Sequence, residues 1–168
     1  MTLAVAHRGR SGGVEERPDF APAVYGSLLV TTLVTVQWQG DAHPELIGLS
    51  LLISVAAFWL THVWSEIIAH RVHGPIDVPT AVSIARSEAT MLTSVIVPGV
   101  ILALPRLAGV PVDLAIGAAL LASLVQLFLW GLAVGRVAYA SRLSALIVAL
   151  VDCGVGVAVV ILKYVVIH

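Results

Sequence analysis

Five apolar stretches, each of sixteen or more residues and poor in charge, follow one another along this chain with only short breaks between them. About twenty apolar residues wound as a helix cross the roughly 30 Å hydrocarbon core of a bilayer. Such a stretch has little choice of structure, because hydrocarbon offers no partner to a backbone N–H or C=O. The stretches cover about 21–36, 45–70, 79–104, 112–134 and 143–166. The expected fold class is therefore an all-α integral membrane protein, a bundle of five transmembrane helices. Residues 1–20 form a polar segment ahead of one transmembrane domain, 21–168.

Composition points the same way. The chain is 59% hydrophobic and only 11% charged, where a soluble domain carries about a quarter. Its net charge of −1 gives no electrostatic basis for binding nucleic acid. Cys153 is the single cysteine, which excludes an internal disulfide and any multi-cysteine metal or haem motif. No Gly-x-Ser-x-Gly elbow, Ser-x-x-Lys motif or phosphate-binding glycine loop occurs, so an enzyme is the less favoured expectation. No apolar run follows a basic start in the first twenty residues, and no cleavable signal is expected.

Proline and glycine mark the breaks. Pro22 suits the first turn of the opening helix, Gly40-Asp41-Ala42-His43-Pro44 reads as a turn, and Gly74-Pro75 with Pro79 divides the second stretch from the third. Pro98 lies inside the third stretch and should loosen that helix one turn earlier. Arg8, Arg10, Arg17, Arg71, Arg86, Arg136 and Arg142 fall on one side of the expected membrane, and Arg106 and Lys163 on the other. That bias predicts a cytoplasmic amino terminus and a carboxyl terminus outside, in a plasma membrane. Eight Arg to one Lys amid abundant Ala, Val and Gly suggests a GC-rich bacterial genome.

Ionisable groups within membrane helices are costly and mark functional sites by default. His62, Glu66 and His70 recur every four residues on one helical face, with His73 beyond them, and Arg86 and Glu88 follow the turn. Counted from the cytoplasmic ends, His62 lies nine residues before Arg71, Glu88 eight after Thr80, Gln126 ten before Arg136, Asp152 ten after Arg142 and Thr31 eleven after Phe20. At about 1.5 Å per residue each reaches roughly 12 to 16 Å into the membrane, near the midplane. Glu66 and Arg86 should meet nearer the cytoplasm, either as a plain charge pair that sets helix register or as a gate.

The expected function is transport of protons or another cation through a polar cluster of His62, Glu88, Gln126 and Asp152, with Glu66 and Arg86 at its cytoplasmic mouth. Against this stands a packing role, with the same groups serving an accessory or assembly subunit of a larger membrane complex. A third alternative is a membrane metal carrier or metalloenzyme holding a divalent metal ion on His62, Glu88, Met91 and Asp152, though neither His-Glu-x-x-His nor Glu-x-x-His is present. Trp59 and Trp64 flank His62 and are candidates to wall the polar layer. Gly131-x-x-x-Gly135, with Gly154, Gly156 and Ala158, allows close helix contact and a homo-oligomer.

Overall fold

The computed structural model describes residues 20–37, 43–72, 74–139 and 141–167. Helices account for nearly all of them, and among the described residues there is no strand. Helix α1 is Ala21–Gln37, α2 Pro44–Arg71, α3 Val78–Glu88, α4 Ile96–Ala108, α5 Val112–Ala138 and α6 Arg142–Ile167. A 3-10 turn, Ala89–Val95, joins α3 to α4.

The helix ends follow from local chemistry. Asp77 caps α3, its side chain accepting the Thr80 amide at 3.1 Å, which satisfies one of the donors left open in a first turn. Pro44 opens α2, where its missing N–H costs nothing. Gly109 ends α4 in the left-handed region at φ +65, with its amide donating to the Pro105 carbonyl. That backbone conformation suits glycine, and it closes the last turn.

The third helix is not one α-helix but two joined by a 3-10 turn. Pro98 has no N–H for the Ser94 carbonyl and its ring crowds that oxygen. Ahead of it, Ser87, Thr90, Thr93 and Ser94 each donate a hydroxyl to the carbonyl three residues back, at 2.6 to 3.3 Å. In α1 the corresponding bonds of Ser27, Thr31, Thr32 and Thr35 reach four residues back. A proline at the far end and hydroxyls competing for carbonyls along the way account for the tightened turn.

Among the described residues, four helical stretches are long and apolar enough to cross a membrane: Leu46–Arg71, Val78–Ala108, Val112–Ala138 and Arg142–Lys163. Helix α1, at seventeen residues, is shorter, about 25 Å long. It nevertheless holds the central place, packed against the 3-10 turn, α5, α6 and α2. The core is apolar, with Ile47, Leu51, Met91, Leu102 and Leu127 almost fully buried. So is the outside: Leu60, Leu121 and Leu162 are 62%, 63% and 64% exposed. A chain apolar on both surfaces suits hydrocarbon as its surroundings, and it needs small residues rather than a hydrophobic effect to bring helices together.

Those small residues lie between α5 and α6. A methyl on Gly135 would stand 2.5 Å from the Ala145 Cα, and one on Gly131 2.8 Å from the Ala149 Cα. Gly156 faces Leu124 and Leu127 from the other side. The close helix contact expected of Gly131-x-x-x-Gly135 is made within the chain, against α6, because the two helices can approach only where both lack bulk.

Candidate functional site

The buried polar and charged residues described are Ser27, Thr31, Thr35, Glu88, Ser94 and Ser123. The five hydroxyl residues form a seam where α1, the 3-10 turn and α5 meet, and Glu88, the last residue of α3, lies two turns before Ser94 with Met91 between them. On α1, Ser27, Thr31 and Thr35 recur every four residues and so stack along one face, covering about 12 Å of helix axis. Thr31 crosses to α5, its hydroxyl 3.0 Å from the Ser123 oxygen. In the 3-10 turn, at three residues per turn, Glu88, Met91 and Ser94 stand in one column. Gly26 of α1 meets Met91 and Ser94 so closely that a methyl there would lie 2.5 Å from the Ser94 hydroxyl. The column therefore runs from Ser94 back to Glu88 at the end of α3.

The hydroxyls are not idle. Ser27 donates to Ala23, Thr31 to Ser27, Thr35 to Thr31, Ser94 to Met91 and Ser123 to Leu120, all to backbone carbonyls. Each oxygen keeps lone pairs that accept a further proton. Thr31 has one proton for two neighbours, the Ser27 carbonyl and the Ser123 hydroxyl.

Gln126 lies beside the seam, donating through Nε2 to the Thr93 carbonyl at 3.3 Å. Its Oε1, and Trp130 Nε1 one turn further along α5, are buried without a hydrogen-bond partner among the described residues. Phe20, just ahead of α1, covers Trp130 with ring centroids 6.0 Å apart.

His62 and Asp152 do not join Glu88. The His62 ring lies between Tyr25 and Phe58, with centroids 5.6 and 5.2 Å away. Tyr25 is exposed, and at 100° per residue it points some 200° away from Ser27, off the buried face of α1. Asp152 sits half-buried over Gly131, where an added methyl would come within 2.6 Å of Oδ2. Counting residues along a helix fixes an expected height alone and leaves azimuth open, and the neighbours of these groups differ. Among the described residues no three His, Cys, Asp or Glu side chains stand together as a metal site. The donor set of His62, Glu88, Met91 and Asp152 is thus not assembled, and Met91 is packed in the core.

Glu66 turns to its own helix, 3.8 Å from His70 Nδ1, rather than to Arg86. Both Glu66 and Arg86 are exposed, and His73 lies outside the described residues. Trp59 leaves the His62 layer to donate to the Ala85 carbonyl at 3.2 Å, pinning α2 to α3. Trp64 lies under the Arg71 guanidinium, 5.8 Å from the ring centroid. An outward groove of about 500 Å³ between α2 and α4, lined by Gly48, Leu52, Val95, Gly99, Leu102 and Ala103, has no group that would hold an ion.

Of the six buried polar residues, the depth count named Thr31 and Glu88 and missed Ser27, Thr35, Ser94 and Ser123. The i, i+4 spacing of Ser27, Thr31 and Thr35 was the available signal. Fold and interior together define a class: among the described residues, an all-helical protein with four helices long and apolar enough to cross a membrane and a buried polar seam beside a broken helix. No family model, curated protein or solved structure matches the chain.

Proposed function

We propose that this chain is a multi-pass protein of the plasma membrane, amino terminus in the cytoplasm and carboxyl terminus outside, with α1 as a fifth span. It moves protons or another cation, and Glu88 is the carboxylate that takes them up. The observation that carries this reading is the position of Glu88: a buried carboxyl where α3 gives way to a 3-10 turn. Irregular backbone at membrane depth is tolerated where protein buries it or where it lines a water-filled cavity, and broken helices hold ions in many transporters. The excess of Arg on the Glu88 side supports the orientation. Purified protein in sealed liposomes is expected to dissipate an imposed proton or cation gradient.

A second reading, an accessory subunit of a larger membrane complex, is favoured by one observation. Every seam hydroxyl already donates to a carbonyl of its own chain, as a packing device would. Liposomes that hold their gradient, together with a partner recovered in stoichiometric amount from native membranes, would decide for this reading.

A further inference from the structure

The outward groove between α2 and α4 has a volume of about 500 Å³, within the range of about 300–1,000 Å³ that holds small molecules. Leu49 and Leu52 form one wall and Ile96 and Val100 the other, all four exposed, while Gly48 and Gly99 keep the floor low. A methyl on Gly99 would meet nothing within 4 Å. On α4 the lining runs from Val95 to Ala103, about 12 Å of helix axis.

A charge stands beyond its outer end. Arg106, exposed in the last turn of α4, follows Gly99 by seven residues and Ala103 by three. Seven residues are close to two full turns, so Arg106 lies within about 20° of Gly99 around the helix and about 10 Å further along it. The guanidinium is thus carried on the groove's own face of α4. A cation at a helix C-terminus also suits the helix dipole, but that role needs no groove beneath it.

An amphiphile with a phosphate head and a hydrocarbon tail matches both parts. Phosphate oxygens accept the two parallel N–H bonds of a guanidinium fork, and a tail laid over Gly99 meets apolar side chains alone. We propose that the groove and Arg106 together bind one phospholipid of the outer leaflet, its phosphate on Arg106 and one acyl chain in the groove. The inference rests on the membrane placement and orientation proposed above, not on ion movement.

Native mass spectrometry of the purified protein in detergent, titrated with phosphatidylglycerol, tests the site. The chain should retain one phosphatidylglycerol and no diacylglycerol with the same acyl chains. Gly99→Leu, whose side chain fills the groove, should abolish retention, and Arg106→Gln should weaken it about tenfold, the worth of a charge-assisted hydrogen bond. Should Gly99→Leu fail to fold, Arg106→Gln, on an exposed turn, still carries the comparison. Excess inorganic phosphate should leave the lipid in place. Equal retention of diacylglycerol, equal retention by wild type and Arg106→Gln, or displacement by phosphate overturns the proposal. So does a Gly99→Cys thiol, in a Cys153→Ala background, that cross-links to another polypeptide in native membranes. Protein washed out of native membranes by alkaline carbonate would deny the membrane placement itself, whereas protein that stays in the membrane and retains no lipid denies only the site.

Discussion

Gly26 of α1 and Ser94 of the 3-10 turn approach so closely that no side chain fits between them. A methyl on Gly26 would lie 2.5 Å from the Ser94 hydroxyl, 2.7 Å from the Met91 carbonyl oxygen and 3.0 Å from the Met91 Cγ. Ser94 could rotate, but the carbonyl belongs to the backbone of the turn. Gly26→Ala should therefore push α1 off the turn at an overpacking cost of about 1–3 kcal/mol, read as a fall in melting temperature of the detergent-solubilised protein. Gly99→Ala, on open helix surface, should leave it unchanged or slightly raised, since alanine is the better helix former by up to about 1 kcal/mol.

The link from Thr31 to Ser123 ties α1 to α5 in the middle of the core. Thr31→Val keeps the shape and removes the hydroxyl. The loss should be about 0.5–1.5 kcal/mol, the net worth of a hydrogen bond. Thermal denaturation of Thr31→Val, Ser123→Ala and the double variant forms a cycle. Non-additive losses would show that the two hydroxyls interact, and strictly additive ones would show that each serves only its own helix.

Asp77 offers a pH test outside the membrane-spanning segments. The Thr80 hydroxyl and then the Thr80 amide hold its carboxyl below the usual carboxylate range. A depressed folded value means the cap contributes its full stabilisation above the unfolded pKa of about 3.9. The contribution is lost as pH falls through the lower folded value. Amide exchange in the first turn of α3, corrected for intrinsic rates, should stay slow down to about pH 4 and quicken below it. With Asp77→Ala it should be fast throughout.

Much of the fold was legible because hydrocarbon leaves so few choices. The five apolar stretches are helices, begun or ended by Pro44, Asp77 and Gly109. Pro98 signalled the disturbed turn ahead of it. What could not be read was azimuth. His62, Glu88 and Asp152 were placed at one height by counting, yet a helix turns 100° per residue and the sequence does not say which face meets which neighbour. The outside of this chain is apolar too, so the amphipathic pattern that orients helices of soluble proteins is weak in α1, α2 and α5. Tyr25 drew His62 to one side and Gly131 gave Asp152 its place at another. The seam shows only once Gly26 is seen against Ser94.

The transport account rests on Glu88, and proton flux into liposomes tests it most directly. Wild-type protein should collapse a pH gradient; Glu88→Gln, which keeps the size and removes the ionisable group, should abolish that flux while the protein remains folded by circular dichroism. His62→Ala, off the seam, should retain the flux. Equal flux in wild type and Glu88→Gln would contradict the account.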